Sequence, residues 1–269
     1  MTERSYFTDD SMLRRVHRES VVALSGPRAL LMQATHPVAF AGFFAHTGAL
    51  DEPYERLNRT AAVMDAIAWG PREQADRLTR RVRAMHRRVR GELSEPAGRF
   101  PAGTPYAADD PELLLWILAT LADSALTVYQ RYVGSLSPAQ RGDYWSDYRQ
   151  IGRLFALRDE EMPEAIEDFD DYMGAMIGGD DLHVSEEARR LAIDIVMHPP
   201  VSLWARPLLE TVNQVTIGLL PSRIRRLYGF RWDPARGLAL RGGAEYTRRV
   251  LVPLLPGRLR HAPSARAAA

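Results

Sequence analysis

The chain has 269 residues, 46% of them hydrophobic, with a formal net charge of +1 and no cysteine. That length and composition suit one large folded domain, and the missing cysteines exclude disulfides, thiolate catalysis, iron–sulfur clusters and thiolate-bound zinc or haem. No position is lysine, so all 35 basic residues are arginine; Schiff-base and P-loop lysine chemistry are excluded, and arginine clamps anions but is a poor general base.

Helical periodicity dominates the chain, and alternating strand patterns are lacking. The polar start, Met1 to Asp10, lacks an apolar signal core, which predicts a cytoplasmic protein. Ser11–Ser25 is expected as a first helix, broken by Gly26-Pro27. Ala29–Ala34 starts a second, interrupted at His36-Pro37, and residues 38–45 are apolar all round. Pro53–Trp69 reads as a helix with proline near its start, and Pro71–Leu93 as the next. Ser94–Thr104, rich in proline and glycine, is expected to be a mobile excursion or lid.

Leu113–Tyr132 is the most apolar segment. Asp123, Ser124 and Thr127 cut its apolar run short of the ~20 residues of a membrane span, so a central core helix is expected, with no transmembrane segment. Asp123 then needs a buried partner. Further helices follow Ser137-Pro138, Met162-Pro163, Ser185 and Ser202, and residues 263–269 are expected to form a disordered tail. The whole, residues 1–262, reads as one all-α domain.

In the helix over 71–93, Leu78, Val82, Met85 and Val89 mark one apolar face, and His86 falls on it. An imidazole aimed inward is either a hydrogen-bonded core residue or a ligand for something buried. His36, in the apolar stretch Met32–Phe44, presents the same alternatives. His17 and His46 occupy ordinary polar positions, and capping suffices for His183 and His198.

Arg56 and Thr60 are one helical turn apart and share a face, with Arg59 adjacent. Such a pair can hold a carboxylate, dioxygen or water, or Arg56 and Arg59 can be surface groups paired with Glu55 or Asp51. Six arginines between Arg80 and Arg90 face an acidic block from Asp159 to Asp171 elsewhere in the chain. The two are expected to neutralise each other, and nucleic-acid binding is not expected. The chain has no His-Glu-x-x-His, Glu-x-x-His or Gly-x-Ser-x-Gly motif.

Taken in order, Thr35-His36-Pro37, Arg56-Leu57-x-x-Thr60, Gly70, Met85-His86-x-x-Val89-Arg90-Gly91, Tyr106-Ala107-x-Asp109, Leu115-Trp116 with Asp123-Ser124, and Gly218-Leu219-Leu220-Pro221 with Tyr228-Gly229 resemble the rubber oxygenase and mycophenolate-pathway oxygenase family. The resemblance covers roughly residues 12–232. It implies an all-α fold around haem b, with His86 as the iron ligand and Arg56 and Thr60 on the opposite face. Arg59 falls where better-known members carry a lysine able to cap the iron. The sixth position is then open, or filled by water or His36. Arg83 or Arg87 is implied to meet the haem propionates.

The implied reaction is oxygenation or oxidative cleavage of an apolar, isoprenoid-like unsaturated substrate by dioxygen. Phe40, Phe43, Phe44, Met173 and Met176 are candidates for a channel lining, or are simply core. The alternative is a haem- or lipid-binding helical protein without turnover. A homo-oligomer is compatible with either.

Overall fold

A computed structural model describes residues 5–45 and 53–268, with only the backbone described at residues 43–45, 53 and 56. The chain opens with α1 (Met12–His17), whose first turn is capped by Ser11 Oγ accepting from the Arg14 amide at 3.3 Å. A 3₁₀ turn (Ser20–Leu24) leads to α2 (Ser25–Gln33), α3 (Pro37–Ala45), α4 (Pro53–Trp69) and α5 (Arg72–His86). A two-stranded hairpin follows, β1 (Arg90–Glu92) antiparallel to β2 (Pro105–Ala107). Then come α6 (Pro111–Tyr132), α7 (Pro138–Leu154), α8 (Ile166–Gly178), α9 (Glu186–Met197) and α10 (Arg206–Leu219). The C-terminal part is α11 (Ser222–Leu227), α12 (Pro234–Tyr246), a π turn (Thr247–Leu251), α13 (Val252–Leu254), α14 (Gly257–Arg260) and α15 (Pro263–Ala268).

The expected core helix is the centre of the fold. Asp110 caps α6 by accepting from the Glu112 and Leu113 amides, an interaction worth about 1 kcal/mol. Leu115, Trp116, Leu118 and Ala119 are buried, and α6 packs against α1, α2, α3 and α7. Its apolar surface is thus consumed inside the protein. Asp123 has the partner it needs: Arg28, itself 3% exposed, reaches Asp123 at 2.7 Å, Ser124 Oγ at 2.6 Å and the Leu219 carbonyl at 2.9 Å. One guanidinium therefore ties α2, α6 and α10 together.

The first expected helix is divided. Glu19 adopts an extended conformation and bridges to His261, and its carboxylate is buried against Arg260 at 2.9 and 3.1 Å. That partner lies 241 residues away, where no local pattern could show it. Gly26-Pro27 does not break a helix but sits in the first turn of α2, where proline needs no amide donor. The tail expected to be disordered instead forms α15. It packs on α4 and buries Ala265, and the Ala262 amide donates to the Arg18 carbonyl at 2.8 Å.

Two further expectations change around the hairpin. The helix read as running to Leu93 stops at His86, and Arg90–Glu92 is a strand. Gly91 pairs with Tyr106, and a β-carbon there would lie 2.5 Å from the tyrosine hydroxyl. The chain needs glycine at this contact, and glycine is a weak helix former. Ser94–Thr104 is the hairpin connection rather than a loose lid. Ala97 and Phe100 exchange backbone hydrogen bonds of 2.9 and 3.1 Å, the Gly103 amide donates to the Leu93 carbonyl at 2.8 Å, and Arg99 pairs with Asp181.

Candidate functional site

His86 is the last residue of α5. The inward face of that helix is Ala75 and Thr79, both buried, continued by half-buried Val82 and His86. Their spacing of four, three and four is that of one helical face. The expected face is thus rotated. Thr79 is buried because its hydroxyl donates to the Ala75 carbonyl at 2.9 Å, whereas Met85 is 51% exposed. Burial is confined to the first half of α5, so its basic C-terminal end lies at the edge of the core.

The chain leaves His86 in a tight turn, with the Val89 amide donating to the His86 carbonyl at 3.0 Å, and enters β1. Val89 packs on Gly42 of α3, where a β-carbon would meet Val89 Cγ1 at 2.9 Å. The end of α5, the hairpin and the middle of α3 therefore meet at one place. Helix α4 joins α5 through Gly70-Pro71 and packs against it. Ala66, Ile67 and Ala68 bury the C-terminal end of α4, while Arg59, Thr60, Ala61 and Ala62 are exposed. The joint of the two helices is rooted in the core, and the half of each helix carrying Thr60 or His86 is not. Arg59, placed beside the cofactor by the resemblance, is exposed and lies 4.0 Å from Glu55. The side chain of Arg56 lies outside the described residues, as do those of Phe43 and Phe44, His46 and Asp51. Phe40 and Met173 are buried in the main core, with Met176 packed against it.

The expected neutralisation of the two charge blocks does not occur. Half of the acidic block pairs with other arginines: Asp159 with Arg149 and Arg153, Glu160 and Glu161 with Arg158, and Asp170 with Arg141. Arg90 pairs bidentately with Asp109 at 2.9 and 3.0 Å. Arg80, Arg81, Arg83, Arg87 and Arg88 form no ion pair among the described residues. The arginines that pair with the acidic block come from α7 and the turn before α8, not from α5. His86 therefore stands among several uncompensated guanidiniums, with half-buried Arg83 one turn before it.

His36 is buried at the start of α3, its ring tilted by 37° against Phe100 with centroids 5.5 Å apart. Its Nδ1 accepts from the Ala39 amide at 3.2 Å, which puts the proton of the neutral ring on Nε2. Burial lowers its pKa, with Asp181 acting in the opposite direction. About 9 Å of helix separates it from the level of Gly42, where the His86 turn packs.

His17 departs from its expected polar role. It lies between two buried phenols, 3.0 Å from the Tyr144 hydroxyl and 3.3 Å from that of Tyr148, and burial pushes its pKa down to about 4. The available signal was its spacing of four from Leu13, which is buried on the same face. No group of three or more His, Asp or Glu able to hold a metal ion gathers among the described residues.

Fold and composition together define an all-α protein. Residues 14–249 match the family described as ER-bound oxygenase mpaB/B'/rubber oxygenase, catalytic domain, and the chain belongs to that family. It is thus an oxygenase-type domain, of oxidoreductase class. Among curated proteins it is similar to an uncharacterised protein of Mycobacterium bovis and another of Mycobacterium tuberculosis. Each is 24% identical over 186 residues, which cover 68% of this chain and 69% of the relative. No solved structure matches the chain.

Proposed function

We propose that this chain is a haem b-dependent oxygenase acting with dioxygen on an apolar, isoprenoid-like unsaturated substrate. The observation that carries the reading is His86 set among arginines that lack counter-ions, on the half of α5 outside the core. One imidazole beside unpaired guanidiniums is a donor set that would suit haem. A metal held by protein side chains alone needs several ligands gathered together, and none are gathered among the described residues. A porphyrin supplies four nitrogens of its own, so one imidazole suffices, and its propionates require cations.

His86 would hold the iron, and Arg83, with Arg87, would hold the propionates. When bound, haem supplies iron chemistry for activating dioxygen. Thr60 and Arg56, one turn apart on α4, would orient the oxidant and a proton by hydrogen bonding. Arg59 is already engaged by Glu55 and stays charged, so it is a weak candidate to cap the metal. The tautomer of His36 makes its Nε2 a donor, which argues against iron ligation and for structural service at the start of α3.

Absorption spectroscopy of the purified, haem-supplied protein tests this directly. A Soret band with one haem per chain is expected. His86→Ala should lose the pigment, while Thr60→Ala should keep it and lower oxygen uptake with squalene by about tenfold or more. Full haem content and an unchanged spectrum in His86→Ala would defeat the ligand assignment. Haem retention with no oxygen uptake on any polyisoprenoid would favour a binding protein without turnover.

A further inference from the structure

A second location has the makings of a ligand site. Between the end of α9 and the start of α10 lies an open cavity of about 570 Å³, within the ~300–1,000 Å³ range of small-molecule pockets. Met197, Pro199, Pro200, Val201 and Leu209 supply apolar walls on one side, and His198, Arg206, Glu210 and Asn213 line the rest. Asn213, 7% exposed, donates to the Met197 carbonyl at 3.0 Å and so joins α10 to the end of α9. The two prolines lack amide donors, so this stretch of backbone offers few polar contacts.

The cavity carries charges of both signs, Arg206 and Glu210. Arg206 lines the cavity at its exposed rim and forms no ion pair among the described residues. The other ionisable lining groups have partners of their own, although Glu210 keeps its charge. Glu210 accepts from Gln214 at 2.8 Å, and His198 faces Asp194 at 3.5 Å. Leu203, Trp204 and Leu208, neighbours of Arg206 in the chain, are 73%, 83% and 65% exposed, an unusual cluster of bare apolar groups.

From the apolar walls and the one unengaged cation, we infer that this cavity binds a single apolar chain ending in an anion, a carboxylate or a phosphate, with Arg206 taking the anionic end. The site stands whether or not His86 holds haem. It is nonetheless linked to the other location, because Tyr54 on α4 donates to the Ile195 carbonyl, two residues before Met197, at 3.2 Å.

Isothermal titration of the purified protein with dodecanoate, dodecyl phosphate and dodecanol, each below its aggregation limit, tests the inference. One molecule of either anion should bind per chain, at least tenfold tighter than the alcohol. Arg206→Leu should reduce both anions to the level of the alcohol and leave the alcohol unchanged, and Arg206→Lys should restore part of the difference. A tighter phosphate or a tighter carboxylate identifies the head group. Unsaturable heats, equal affinity for acid and alcohol, or equal acid binding by Arg206→Leu would overturn the inference. The Soret band of Arg206→Leu should match that of the parent, so this result and the haem result are read separately.

Discussion

At the scale of single residues, the chain shows how polarity misleads about burial. Met85 is apolar and exposed, whereas Thr79 is polar and buried because its own helix satisfies its hydroxyl. His17 and His36 are both buried imidazoles, and each is held neutral by its surroundings. For His17 this has a measurable sign. Its folded pKa of about 4 lies below the ordinary 6.5, so the unfolded chain binds more protons between those values. Stability is therefore full above pH ~6.5 and falls as the pH drops toward 4, by up to about 3 kcal/mol. Urea midpoints at pH 7 and pH 5 should show this fall, and His17→Gln should remove most of it. An equal pH response in the variant would rule out His17 as the source.

At the scale of elements, periodicity located α4 at its observed bounds and nearly so α6, α7, α8 and α9, because proline and serine punctuate those helices at their starts. It failed where the deciding contact was distant. The end of α5 is set by β1 pairing with β2, and the division between α1 and α2 by a partner near the C-terminus. The candidate site was legible only in part: His86 lies on an inward face, but the residues chosen to define that face included exposed Met85. Gly91 is the element-level test. A methyl group against the Tyr106 hydroxyl must push the hairpin apart, and Gly91→Ala should lose about 1–3 kcal/mol in thermal or denaturant unfolding. A variant as stable as the parent would show that the hairpin yields without cost.

For the whole molecule, charge arrangement was the least legible property. Net charge and the positions of the two blocks suggested mutual neutralisation, yet half of the acidic one pairs with other arginines and the basic one keeps cations to spare. The same scale governs the pair of Glu19 and Arg260. Glu19 is 2% exposed and Arg260 33%, so the pair is partly screened by water. Arg260→Ala should cost about 2 kcal/mol by stranding a buried carboxylate, and adding Glu19→Gln should recover part of that loss. Chemical denaturation of the two variants decides it; additive losses would mean that the two side chains are energetically independent.

That ion pair bears on how the protein is made. Everything between α1 and α2 waits for a cation that the ribosome delivers 241 residues after the acid. A growing chain can assemble α6 against its neighbours while the seam at Glu19 stays unsealed, with only Arg18, at 3.7 Å, beside the acid. Closure of the amino-terminal region is therefore a late event in biogenesis, completed only after α14 has emerged.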